Sequence, residues 1–264
     1  MIRSVIANRE LVANLVSREL KGRYKSSLLG FLWSILVPLF MAIIYVVFLR
    51  ILAGRAIPIE EIIIGVFAWQ FTVQCVQDGM VVITSNNNLV KKVAFPRLLL
   101  PVSSTLANLV NYLLTLLVQF LILLILSLVQ GTALSWWALA LPLVIVYHTF
   151  FNLGWAYLLS SCNVYFRDTQ HLVGVLLSAW FFMSPAMYNL ALVESQATAH
   201  PWIMNIYMLN PMAPLITAYR ALILGDLSFP WSVWSVIGLA WPVVFVVVAY
   251  FVFKRAQRNF ADML

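Results

Sequence analysis

The apolar runs of this chain hold very few ionisable side chains: Asp78 sits toward one end of the second, His148 lies within the fourth, and His171 and His200 stand further along the chain. The three histidines are far apart and fall in no metal-ligand spacing. No HExxH, CxxC or DxD-like carboxylate pair occurs, so metal-dependent glycosyl or phosphoryl transfer is disfavoured, and no metal site is expected. The chain also lacks GxxxxGK[ST], so it does not cradle nucleotide phosphates itself. Asp78 could be a proton site for ion-coupled transport, but a carboxylate near a span end is expected to be solvated by water. Arg167, Asp168 and His171 share a face by i,i+3 and i,i+4 spacing and read as a structural ion-pair knot. What is abundant is aromatic surface: 10 Trp, 10 Tyr and 17 Phe. Tyr45, Phe48, Trp69, Phe71, Trp180, Phe181 and Phe182 lie deep in apolar runs, where rings could stack on the C–H faces of sugars. Aromatics at helical spacing serve equally as packing or lipid-facing groups.

The elements that must position these residues are membrane spans. The chain is 63% hydrophobic and 9% charged, more apolar than a soluble domain of 264 residues can hide. Six runs are long enough to cross: Leu32–Leu52, Ile62–Ile83, Val102–Val129, Trp137–Cys162, His171–Val193 and Val233–Phe253. Pro185 should kink or interrupt the fifth. Most of the sixteen Lys and Arg fall in alternate gaps: before the first run, at Lys91, Lys92 and Arg97, at Arg167, and at Lys254, Arg255 and Arg258. That bias predicts both ends on the cytoplasmic side and explains the net charge of +7 without nucleic acid. Arg50, Arg55 and Arg220 fall in the other gaps. Trp33, Trp136, Trp137 and Trp231 suit interfacial belts, and Cys75 and Cys162 read as small packing residues. The first run lacks a small-residue cleavage site and is expected to remain as a span.

Three segments outside the runs carry information. In residues 3–27, Val5, Ile6, Leu11, Val12, Leu15, Val16 and Leu20 share a helical face, with Arg9, Glu19 and Arg23 breaking the pattern. This predicts an amphipathic helix at the cytoplasmic interface, its cations toward anionic lipid; a plain topogenic leader is the alternative. Residues 85–97 predict a short cytoplasmic helix, capped by the Ser-Asn cluster and ended by Pro96. It would present Leu89, Val93 and Phe95 beside Lys91, Lys92 and Arg97, or be an ordinary basic loop. Between Glu194 and Trp231, two apolar pieces, Pro201–Leu209 and Pro214–Leu224, are too short to cross. They suit either a re-entrant pair or helices resting on the outer interface.

Five segments in register resemble the permeases of polysaccharide-exporting ABC transporters of the ABC-2 type, of the O-antigen and teichoic-acid branch. They are the run from Arg18 through Gly22-Arg23-Tyr24-Lys25 to Trp33 and Pro38, then Asn88–Arg97 continuing to Pro101, then Tyr165–His171, Phe182–Tyr188 and Asn210–Pro214. The resemblance covers residue 18 to the last span. It implies an all-α membrane protein with six transmembrane helices, an N-terminal amphipathic interface helix and short re-entrant or gate helices between spans five and six. Residues 1–264 would form a single ABC-2 type transmembrane domain, with an interface helix at 1–29, a coupling helix at 85–97 and a periplasmic gate region at 194–231. A homodimer would join two nucleotide-binding ATPase subunits, which hold ATP and Mg, while this chain binds no cofactor and is not an enzyme. It would sit in the bacterial inner membrane and export an undecaprenyl-linked polysaccharide.

By the same resemblance, Asn88, Leu89, Lys91, Lys92, Phe95, Pro96 and Arg97 would dock on the ATPase subunit. Trp33, Tyr45, Phe48, Trp180, Phe181, Phe182 and Tyr188 would line the substrate path, and Arg18, Arg23 and Lys25 would meet the carrier pyrophosphate, where a cationic fork suits a dianion. Two alternatives remain: an ABC-2 exporter of a drug, peptide or lipid, and a membrane-embedded glycan-assembly enzyme.

Overall fold

The computed structural model describes residues 2–25, 29–49, 54, 57–92, 95–130, 134–198, 200–225 and 229–264. Residues 26–28 of the opening motif, 50–52 of the first expected span, Arg55, Val93 and Ala94 of the 85–97 segment, and Asp226 lie outside the described residues. The described residues are helical, with no strand among them.

An N-terminal arm, α1 (Ile2–Ala7) and α2 (Arg9–Tyr24), is interrupted at Asn8, whose side-chain amide donates to the Ser4 carbonyl at 2.8 Å. The apolar stripe of α2 is covered by protein: Val12 and Leu15 are buried against Leu99 and Val102 at the start of α6 (Leu99–Gln130). At Val12 and Leu15 the α6 surface matches the stripe, while Ile6 of α1 stays exposed. Two of the three residues that seemed to break the amphipathic pattern are explained by the same packing. Glu19 and Arg23 face polar side chains on neighbouring helices, where an apolar residue would have no advantage.

Among the described residues, four helical segments are long and apolar enough to cross a membrane: α4 (Ile59–Ser85), α6, a 3-10 turn at Trp136–Ala140 running into α7 (Leu141–Tyr165), and the segment Val233–Asn259 that contains α12 (Val233–Ala256). Two of the six expected spans are shorter apolar helices, α3 (Leu32–Val47, 16 residues) and α8 (Thr169–Phe182, 14 residues). For α8 the reason is local. Pro185 has no N–H to donate and clashes with a continuing helix, so α8 stops at Phe182 and the chain turns before resuming as α9 (Leu190–Ala197). The fifth expected run, His171–Val193, is therefore two helices with a break.

The central element is α4, which packs against α7, α6, α3, α11 (Met212–Leu224) and α8. Its residues Ile62 to Trp69 are buried on all sides, the pattern of a helix enclosed by neighbours. It approaches α7 closely because Gly79 has no side chain: a Cβ there would lie 2.6 Å from the Ala156 Cβ and 2.9 Å from its Cα. Small residues at such a crossing let two backbones meet where lipid offers no hydrophobic drive. The expected short pieces are α10 (Trp202–Leu209) and α11, the second beginning at Met212 rather than Pro214. Buried on most of its surface, α11 packs against α4 and α7, while α10 packs on α12. The short helix α5 (Asn87–Lys92) follows α4 directly and touches α13 (Phe260–Met263).

Candidate functional site

A groove runs along one face of α4, walled by α3 on one side and α8 on the other. One part, about 290 Å³, is lined by Met41 and Tyr45 of α3, by Trp69, Gln70 and Gln77 of α4, and by Leu177, Ser178, Phe181 and Phe182 of α8. A second part, about 310 Å³, is lined by Trp33 and Val37 of α3, by Gln70, Gln74, Gln77 and Asp78 of α4, and by Arg23. Gln70 and Gln77 belong to both, so the two parts adjoin. At the far end Tyr45 meets Phe181 with ring centroids 5.2 Å apart, and Phe181 meets Trp69 at 5.6 Å, so rings from α3, α8 and α4 close over it.

Helical spacing explains the polar floor. Gln70, Gln74 and Gln77 recur at i, i+4 and i+7 and form one stripe, and Asn108 and Asn111 of α6 lie beside it. Asn111 donates to the Gln74 side-chain oxygen at 3.1 Å, and Asn108 donates to the Gln74 carbonyl at 3.5 Å. The sequence reading passed over these amides in favour of aromatics. Amide side chains at helical spacing inside an apolar run were the signal that could have found them.

At the other end the N-terminal arm is locked to the bundle. Arg23 donates to the Asp78 carboxylate at 2.6 Å and to the Asn108 side-chain oxygen at 2.8 Å. Asp78 is thus paired with a guanidinium rather than left to water, which corrects the sequence expectation. The pair is partly exposed, so it contributes about 1 kcal/mol or less. Ser104 donates to Glu19 at 2.8 Å, and Arg18 donates to the side-chain oxygen of Asn86 at the end of α4. Burial beneath α6 pushes the Glu19 carboxyl above its ordinary 4.5; the Ser104 hydroxyl pulls it back and Asp78 adds to the rise.

The break after α8 is sealed by side chains. The Tyr188 hydroxyl donates to the Phe182 carbonyl at 3.0 Å, and Asn210 donates to the Met183 carbonyl at 2.8 Å. The buried guanidinium of Arg220 donates to three carbonyls: Pro185 at 2.6 Å, Tyr188 at 2.9 Å and Glu61 at 3.0 Å. A planar fork reaches acceptors in several directions at once, which a single ammonium cannot do as well. Gly65 makes room for it, since a Cβ there would lie 2.3 Å from the Ala186 carbonyl oxygen and 2.7 Å from the Arg220 guanidinium.

The remaining expected site residues separate. Trp33, Tyr45, Phe181 and Phe182 line the groove. Trp180 instead lines a neighbouring apolar recess of about 510 Å³ with Trp155 and Trp241 and donates to Asn210 at 2.8 Å. Phe48 is exposed past the end of α3, and Tyr188 is buried with Tyr207 beside the break. Lys25 is exposed beyond α2. On the 85–97 segment Asn88, Lys91, Lys92 and Pro96 are exposed, whereas Leu89 and Phe95 pack against the cluster holding Phe253 and Phe260. Arg97 donates to the Gln257 carbonyl.

Two further groups of ionisable side chains lie apart from the groove. Arg167, Asp168 and His171 form no ion pair: the chain turns at 166–168, so helical spacing does not bring them together. His148 is buried within α7, 2.7 Å from the Thr72 hydroxyl and 3.3 Å from that of Tyr219, a satisfied core residue. Among the described residues no three His, Cys, Asp or Glu side chains cluster as a metal site would.

Comparison with known proteins gives this arrangement a context. The ABC-2 type transporter family matches residues 10–224, and the chain is 32% identical over its full length to 99% of a Myxococcus xanthus protein named O-antigen export system permease protein RfbA. A Klebsiella pneumoniae protein of the same name is 27% identical over 97% of this chain and 95% of its own. A multi-pass helical membrane chain with that likeness along its whole length is a transport component, and it belongs to the ABC-2 type transporter family.

Proposed function

We propose that this chain is the permease subunit of an ATP-driven exporter that carries lipid-linked, O-antigen-like polysaccharide out of the cytoplasm. The observation that carries the reading is the full-length likeness to relatives named as O-antigen export permeases. A groove with aromatic walls and an amide floor supports it, since sugars present both C–H faces and hydroxyls. In this reading α3 and α8 complete six membrane passages in the bacterial inner membrane with both termini in the cytoplasm. The segment from α9 to α11 is the outer gate, and α2 is the interface helix.

Two copies would pair with their α3 and α8 faces toward a shared path and recruit two ATPase subunits that hold ATP and Mg. The exposed Asn88, Lys91, Lys92 and Pro96 are the contact to those subunits. Leu89, Phe95 and Arg97 carry the motion inward, because they already pack on or bond to the C-terminal end of the bundle. Trp33, Tyr45, Phe181 and Phe182 face the glycan. Lys25 offers a free cation to the carrier pyrophosphate, with Arg18 beside it, and Arg23 would exchange Asp78 for the same anion. Deleting the chain in its native host is the test. Surface polysaccharide is expected to disappear while its lipid-linked precursor accumulates inside; normal surface polysaccharide would contradict the reading.

A further inference from the structure

We propose that Gln70, Gln74 and Gln77 form a hydrogen-bonding track for the hydroxyls of a neutral sugar chain, so that the second helix of the bundle contacts the cargo directly. The inference rests on the export reading and adds a binding site to it. The three amides form one stripe about 10 Å long on α4. All three line the groove, Gln70 half-buried and Gln77 exposed. Gln74 is held in place by Asn111, whereas the side-chain amides of Gln70 and Gln77 make no hydrogen bond among the described residues.

An unpaired amide facing hydrocarbon is costly, and it faces lipid only if something polar does not reach it. Two such amides at one helical spacing therefore mark a face that meets water or a polar ligand. Charge narrows the ligand class. The charged groups lining the groove are Arg23 and Asp78, which neutralise each other at one end. Along the amides the groove therefore suits an uncharged ligand. A primary amide both donates and accepts, as a sugar hydroxyl does, whereas an ion would be better served by charged groups or convergent carbonyls. Tyr45, Trp69 and Phe181 stand beside the track and offer ring faces to the C–H side of the same sugars.

The test compares the wild-type chain, its deletion, Gln70→Leu/Gln77→Leu and Gln70→Asn/Gln77→Asn in the native host. Surface polysaccharide, chain abundance in the membrane and recovery of the ATPase partner are measured together. The leucine pair is expected to lower surface polysaccharide about tenfold, as losing one or two net hydrogen bonds would, at unchanged abundance and partner recovery. The asparagine pair, which keeps the amides, should retain more. Wild-type export by the leucine pair, where the deletion exports nothing, would overturn the track and leave the export reading standing. A deletion strain with normal surface polysaccharide would overturn both.

Discussion

Two faces of α4 deal with polar groups in opposite ways. Near its N-terminal end α4 meets the break after α8, where the carbonyls of Phe182, Met183, Ser184, Pro185 and Tyr188 all accept hydrogen bonds. Between one and about three turns further along, Gln70 and Gln77 present side-chain amides to the groove with no protein partner among the described residues. The break is irregular backbone at a depth where lipid satisfies nothing, so side chains from α11 and its neighbours must supply donors. The groove is built of regular helix, whose backbone needs no help, so its side chains are free for something that passes. On these two faces of α4 the satisfied carbonyls belong to the fold, and the amides without a protein partner face the groove.

The largest effects are expected where the sealed region is opened. Arg220→Met would orphan three carbonyls and should cost about 3–5 kcal/mol, read as a lowered Tm of the detergent-purified chain. Arg220→Lys should recover only part of that loss, because one ammonium cannot hold the same acceptors. Gly65→Ala should cost about 1–3 kcal/mol by driving a methyl into the Ala186 carbonyl and the guanidinium. An Arg220→Met chain as stable as the wild type would show that the seal is not structural, and the contrast would fail.

Smaller effects are expected at the groove's polar end. Asp78→Asn removes an exposed ion pair and should loosen α2 by about 1 kcal/mol or less, seen as faster proteolysis in the arm. Combining it with Arg23→Gln should add only the loss of the Arg23–Asn108 bond, since the ion pair is already gone. Glu19 gives the smallest change. The docked arm holds the Glu19 proton more tightly than the free arm does, so its contribution is complete below pH 4.5 and is lost as pH rises through the elevated value. Proteolysis of the wild-type arm should therefore quicken with rising pH across that window. Glu19→Gln, which stays neutral and can still accept from Ser104, should flatten the profile.

Much of this architecture is legible in the sequence. Long apolar runs mark α4, α6, α7 and α12, and Pro185 marks the stop in α8, because each of these rules acts locally. The stripe of α2 was legible too, but what covers it was not, since periodicity says which face is apolar and not whether protein or lipid meets it. Arg220 could be singled out as a lone cation, yet its partners are backbone carbonyls from Glu61 to Tyr188, which carry no side-chain signature. The aromatics were read as one set, but on α8 Phe181 lines the groove while Trp180, one residue earlier, lines the neighbouring apolar recess. Arg167, Asp168 and His171 misled because their spacing means adjacency only in a helix, and the chain turns there.

Cysteine accessibility in native membranes tests the contrast most directly. With Cys75 and Cys162 replaced by alanine, single cysteines are placed at Gln70, at Gln77 and at Ser184, and treated with a charged, water-soluble maleimide that needs a hydrated thiolate. Gln70→Cys and Gln77→Cys should label, while Ser184→Cys, enclosed in the sealed break, should not. Protection of both glutamine positions, or equal labelling of Ser184→Cys, would contradict the account.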